Sequence, residues 1–209
     1  MKIKCLPLGD YQANCYIVTD DTSMTAAVID PGVASDELND LLLGYDLKYI
    51  LLTHGHFDHI YGCESLKELY PECKICIHCA DEPCLNNSEL NLAGDYDGYL
   101  PSINADIVFD GNEELEIIPD VNIKVLHTPG HSKGSVCYTD FKNGIMFSGD
   151  TLFCRTVGRT DFIGGNFDEM MTSIKMLSTL NPDIKVFPGH NRLTTIGDEK
   201  IKNRYMRKL

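Results

Sequence analysis

The seven residues Thr53-His54-Gly55-His56-Phe57-Asp58-His59 constrain this chain more than any other stretch in it. Three imidazoles and a carboxylate follow directly on the apolar run Tyr49-Ile50-Leu51-Leu52. So many polar groups at the end of a buried run are costly unless a cation draws them together. Imidazole and carboxylate suit Zn2+, Fe2+ or Mn2+, and no thiolate stands among the four. Two ligands on one helical face would lie at i and i+4. His54 and His56 lie two apart, the spacing of an extended chain. Asp58 and His59 are adjacent and cannot both point the way His54 and His56 do, so the chain is expected to curl after Phe57 and present them to a second position.

The chain has 209 residues, 43% of them apolar and 23% charged, enough to bury a sizeable core. A net charge of -13 disfavours nucleic acid, whose affinity rests on lysine and arginine neutralising phosphates. It remains compatible with a small anionic substrate if cations reverse the sign locally. No apolar run approaches the roughly eighteen residues of a membrane span. Met1-Lys2-Ile3-Lys4-Cys5 reads as a strand, without the apolar core of a secretion signal. With nine cysteines, an odd number, this makes a reducing cytoplasm the expected location.

Along the chain, Ile3, Cys5, Tyr16-Ile17-Val18 and residues 26–29 read as early strands ending in Asp30-Pro31-Gly32. Ser35 is expected to cap a helix through Leu43, with Gly44 stopping it. Ile60, Cys63, Leu66 and Leu69 keep helical spacing up to Pro71. Residues 80–104 lack periodicity and are expected to form a loop or short helices near the site, with glycines at 94 and 98. Asn166 and Glu169 resemble a capping box, opening a helix with Phe167, Met170, Ile174, Leu177 and Leu180 on one face. The tail from Asp198 reads as a short, basic, exposed helix. Strands followed by helix occur twice, so residues 1–209 read as a single domain of two similar α/β halves.

Three apolar runs in the second half also end in polar turns: His127-Thr128-Pro129-Gly130-His131, Ser148-Gly149-Asp150 and Pro188-Gly189-His190. Six of the seven histidines lie in these turns and the opening motif. The set His54, His56, Asp58, His59, His131, Asp150 and His190, with Asp30-Pro31-Gly32 before it, resembles the metallo-β-lactamase superfamily over essentially the whole chain. The resemblance implies a four-layer αββα sandwich. It further implies that His54, His56 and His131 hold one divalent ion, that Asp58, His59 and His190 hold another, and that Asp150 bridges them. Zn2+ is the leading candidate, with Fe or Mn as alternatives. Two close cations would lower the pKa of a shared water and hold the hydroxide as nucleophile, with Asp58 as the catalytic carboxylate that orients it or takes its proton. Asp30 is read as fixing an imidazole tautomer, or as a turn aspartate before Pro-Gly.

Finer markers narrow the reaction. Phe57 stands where the superfamily's di-iron flavoproteins carry glutamate. The ligand set, Gly158-Arg159-Thr160-Asp161-Phe162 and Leu193-Thr194-Thr195-Ile196-Gly197 resemble the short bacterial glyoxalase II-like (hydroxyacylglutathione hydrolase-like) thioester hydrolases. Asn191-Arg192 and Asn203-Arg204 depart from that group's Gly-Pro and Asn-Pro. The chain ends before the glutathione-binding helical segment of the longer enzymes. The expected activity is therefore hydrolysis of small, anionic acyl thioesters of the S-lactoylglutathione kind. The alternative is a mononuclear iron persulfide dioxygenase, which shares the Gly-Arg-Thr-Asp-Phe segment. A β-lactamase is disfavoured by the missing signal peptide and a nuclease by the acidity. His127 is read as structural, and Arg159 as bracing its loop against Asp161. Cys73, Cys76, Cys79 and Cys84 have a cluster-like spacing, but Cys76 and Cys79 fall on opposite faces of a strand and read as scattered thiols.

Overall fold

The computed structural model describes residues 1–94 and 101–209, so position 98 of the expected loop lies outside the described residues. Two six-stranded sheets follow one another in the chain. The first runs β1 (Lys2–Leu8), β2 (Ala13–Asp20), β3 (Thr25–Ile29), β4 (Asp46–Leu51), β5 (Lys74–His78) and β6 (Ile107–Phe109), each strand beside its predecessor. β1 to β3 are antiparallel, and β3 to β6 are parallel. Parallel neighbours need crossovers. α1 (Asp36–Leu42), α2 (Phe57–Ile60) and α3 (Cys63–Leu69) lie in two of them.

The second sheet is built from β7 (Glu114–Ile118), β8 (Val121–His127), β9 (Val136–Asp140) and β10 (Ile145–Gly149). A two-stranded hairpin, β11 (Leu152–Phe153) and β12 (Thr156–Val157), follows, then α4 (Phe167–Ser178), β13 (Lys185–Pro188), β14 (Thr194–Thr195) and α5 (Ile196–Lys202). β13 pairs parallel to β10, and β14 closes that edge.

Three buried clusters account for four layers. Leu38 and Leu42 of α1 and Cys63 and Leu66 of α3 pack with Val28, Ile50 and Ile75 of the first sheet. The opposite face of that sheet, including Tyr16, Ala27, Ile29 and Leu51, meets Val125, Tyr138 and Phe147 of the second. Met146 and Val186 then pack with Met170, Ile174 and Leu177 of α4 and Ile196 of α5. Alternating strand residues thus serve two interfaces, giving the expected αββα sandwich.

Local chemistry explains the helix ends. The Ser35 side chain accepts from the Leu38 amide, and Asn166 accepts from Asp168 and Glu169, as N-caps do. Three expectations are corrected. The helix expected from Ile60 to Tyr70 is broken at Tyr61–Gly62, where the Gly62 amide donates to Pro31 O at 2.7 Å instead of continuing the helical ladder. Phe167, expected on the apolar face of α4, is 50% exposed. The C-terminal helix is short as expected, ending at Lys202, but the tail is not exposed throughout: Glu199, Asn203 and Met206 are buried.

The connection between the sheets is a tight turn organised by one side chain. Glu113 accepts the amides of Asp110, Gly111 and Asn112 at 2.6, 3.0 and 2.9 Å. Burial is the largest single influence and raises its pKa, but the backbone donors together outweigh it and hold it at about 2. A carboxyl depressed on folding contributes stability above its unfolded pKa and loses it as pH falls towards the folded value. Glu113→Gln is therefore expected to destabilise the protein at pH 7, with the gap to wild type closing between about pH 4.5 and pH 2. Urea unfolding at several pH values measures it, and a gap independent of pH contradicts this account.

Candidate metal centre

All seven candidate ligands sit just beyond strand ends on one edge of the sandwich. β4 stops at Leu51, and His54 and His56 ride the loop beyond it instead of the strand itself. The expected curl is α2, which starts at Phe57 and carries Asp58 and His59. His131 lies in the loop after β8, Asp150 directly follows β10, and His190 stands two residues beyond β13.

The residues gather as two triads. Ligand-capable atoms of His54, His56 and His131 lie within 4.8 Å of one another, as do those of Asp58, His59 and His190. The first three rings stand edge to face, with centroids 4.5–4.9 Å apart. Asp150 lies between the triads: Oδ2 is 3.5 Å from His131 Nε2 and 3.7 Å from His190 Nε2, and Oδ1 is 3.6 Å from His59 Nε2. Gly189 permits that position, because a Cβ there would stand 2.2 Å from Asp150 Oδ1.

Hydrogen bonds on the outer ring nitrogens aim the inner ones at the gap. His131 Nδ1 donates to Arg159 O at 2.8 Å. Asp30 accepts from His59 Nδ1 at 3.1 Å and from the Thr53 amide and hydroxyl at 2.8 and 2.6 Å. Thr53 Oγ1 in turn lies 3.1 Å from His54 Nδ1. Asp30, His54 and His59 also form a compact group, but it is satisfied by these internal bonds. The inward atoms are not: among the described residues, His54 Nε2, His131 Nε2 and Asp150 Oδ1 are buried without a hydrogen-bond partner. Buried polar atoms rarely stay unpaired. Neutral imidazole nitrogens and a carboxylate oxygen converging on one space fit divalent ions.

Electrostatics separates the triads. Burial, with the neighbouring imidazoles, drives His54 and His56 well below the usual histidine range and keeps them neutral. Burial opposes charging His59, but Asp58, Asp150 and Asp30 outweigh it and push its pKa up to about 10. Burial also works against ionising Asp58, and the imidazoles of His59, His190 and His56 overcome it, holding the carboxyl below the usual range. A cation at the second triad competes with the His59 proton.

The gap opens onto a cleft of ≈ 600 Å³ whose wall includes Tyr11, Phe57, Leu92, Phe153 and Phe162. Arg159 is at this mouth, held through two hydrogen bonds by Asp161 at 2.9 and 2.8 Å and lying 4.2 Å over the Phe162 ring. Its side chain braces the loop, while its carbonyl, which the sequence did not single out, orients His131. His127 stays outside the gap, stacked on His78 and bonded to Lys133 O. Cys73, Cys76 and Cys84 are buried and Cys79 is exposed, and no metal-capable group among the described residues includes a cysteine. Burial pushes the Cys76 and Cys84 thiols up to about 12.

Comparison with known proteins identifies the family of the fold. Residues 8–190 match the metallo-beta-lactamase superfamily. Hydroxyacylglutathione hydrolase GloC of Haemophilus influenzae is 33% identical over 99% of this chain and 98% of its own. Among solved structures, the B3 metallo-beta-lactamase BLEG-1 superposes with a TM-score of 0.89 at 34% identity, covering 98% of this chain and 99% of that one. TTHA1623 in a di-iron-bound form superposes with a TM-score of 0.83 at 32% identity, covering 97% and 99%. The chain belongs to the metallo-beta-lactamase superfamily.

Proposed function

We propose that this protein is a dinuclear metal-dependent hydrolase of small acyl thioesters, with His54, His56 and His131 holding one ion, Asp58, His59 and His190 the other, and Asp150 between them. The observation that carries the reading is the pair of triads sharing Asp150, with the inward atoms of His54, His131 and Asp150 left without a protein partner. Two divalent ions, Zn2+ first among the candidates, supply Lewis acidity and a water activated near neutral pH. The chain's residues do the rest. Asp58, held ionised below the usual carboxylate range, is a weak base and a strong hydrogen-bond acceptor. It therefore orients the attacking water more than it stores a proton. Phe57, Phe153 and Phe162 exclude bulk water from the reacting carbonyl, which strengthens every charge interaction in the cleft. Arg159 is already neutralised by Asp161, and the aromatic side of the cleft, Phe57, Phe153 and Phe162, suits a compact acyl group.

Among the described residues no helix is long and apolar enough to cross a membrane. Net charge favours a small substrate over nucleic acid. We place the protein in the cytoplasm on its cysteine content.

The test pairs elemental analysis with a substrate panel. Two ions per chain and turnover of S-lactoylglutathione or a shorter acyl thioester are expected, without oxygen consumption. A single iron with oxygen uptake on a glutathione persulfide would replace this reading by the dioxygenase. Turnover confined to a β-lactam would also overturn it.

A further inference from the structure

Asp81 is 1% exposed, follows β5, and belongs to neither triad. Its carboxylate takes three donors from the two loops that carry the first triad. Oδ2 accepts the Gly55 amide at 3.0 Å, between His54 and His56. The same oxygen accepts the Ser132 hydroxyl at 2.6 Å, next to His131, and Oδ1 accepts the Gly134 amide at 2.6 Å. Ser135 reinforces the second loop, its hydroxyl 2.7 Å from that of Ser132 and accepting the Ser132 amide at 3.1 Å. The fit is close: a Cβ on Gly134 would stand 2.7 Å from both Cβ and Cγ of Asp81.

The two loops come from different sheets, one after β4 and the other after β8. β9 adds two ties to the first loop, the Val136 amide on Thr53 O at 2.8 Å and the Tyr138 hydroxyl on Leu52 O at 2.6 Å, but Asp81 is the side chain that bonds both loops beside the triad. Asp30 makes the corresponding bonds behind His59, through Thr53 and the His59 ring. We infer that Asp81 is the positioning residue of the first ion, setting the separation of His54 and His56 from His131. The inference rests on the two-ion reading above.

A carboxylate suits this place because all three neighbours are donors. An asparagine of the same shape offers one acceptor oxygen and turns its amino group against an N–H or O–H. Asp81→Asn therefore spoils the geometry while conserving volume. Loss of a group that supports a ligand weakens metal binding by about 10–100-fold. Zn2+ titration against a chelating indicator should show one of the two wild-type ions weakened by about that factor in Asp81→Asn, and the other changed by less than about threefold. In a His190→Ala background, which lacks a side chain of the other triad, the remaining ion should weaken by the same factor, assigning the effect to the first site. Ser132→Ala, which removes one donor and leaves the carboxylate, should show a smaller loss at the same ion and serves if Asp81→Asn does not fold.

Unchanged affinity for both ions in a folded Asp81→Asn, or a lowered Tm of the metal-free protein with no change in affinity, overturns the inference and leaves Asp81 a stability residue. So does an equal loss at both sites. A wild-type protein that takes up no ion overturns the two-ion reading together with this one.

Discussion

Asp58→Ala is expected to lower kcat for the proposed thioester hydrolysis by about a thousandfold, within the 10²–10⁴ range that a positioned acid or base contributes, and to remove one oxygen facing the second triad. Asp58 Oδ2 is 3.3 Å from His190 Nε2 and 3.7 Å from His59 Nε2, at the wall of the cleft, so it meets both the second triad and the space where a substrate would lie. The backbone that carries it is independent of the side chain, because α2 is held by the Phe57 amide on Asn91 O and by its own ladder. The variant should therefore keep wild-type circular dichroism and a similar Tm, with turnover measured at saturating metal. His59→Ala should match it in activity but be less stable, since the buried Asp30 loses the ring donor and keeps only its two bonds from Thr53. Near-wild-type turnover from a folded, metal-loaded Asp58→Ala would refute the assignment of Asp58.

The second large effect is on stability and lies away from the ions. Glu199 is fully buried in α5, and every oxygen it has is used. It accepts the Arg155 amide at 2.7 Å, Asn203 Nδ2 at 3.0 Å and the Thr194 hydroxyl at 2.5 Å, and it pairs with the Arg155 guanidinium. Arg155 occupies the turn of the β11–β12 hairpin with a φ of 75°, a left-handed conformation costly for a side chain of that size. Glu199→Ala takes the acceptor from four donors, of which Asn203 Nδ2 keeps a bond to Thr156 O, and removes the tie that holds this turn. Breaking a buried charged network of this kind costs about 3–5 kcal/mol. At roughly 2–4 °C per kcal/mol for a chain of this size, Tm should fall by about 10 °C. The hairpin also carries Phe153 into the cleft, so KM should rise while metal content stays at wild type. A Tm within about 2 °C of wild type would show that water replaces the lost partner.

What the sequence made legible follows from the range of each interaction. The candidate ligand residues stood out because several fall in one short motif and the others end apolar runs, and the αββα class followed from the resemblance those motifs carry. The helix caps at Ser35 and Asn166 were legible because their partners are two or three residues away. The break at Gly62 was not, because the helical period of Ile60, Cys63 and Leu66 continues through it and the competing acceptor, Pro31 O, is set by tertiary packing. The burial of Asn203 and Met206 was hidden for the same reason, since a basic tail gives no sign of the hairpin it covers. Asp81 shows the limit most clearly. It sits alone between Ala80 and Glu82, and its partners are 26, 51 and 53 residues away. Only a view of all three loops together reveals it.

The separation of the triads along the chain also bears on how the protein is made. The opening motif supplies His54, His56, Asp58 and His59, but the first triad waits for His131 and the second for His190, near the end of the 209 residues. During synthesis the emerging chain therefore exposes an incomplete, imidazole-rich half-site while nearly all of the remaining sequence is translated. On the two-ion reading, an ion that meets the chain before His131 emerges finds only His54 and His56 of the first triad.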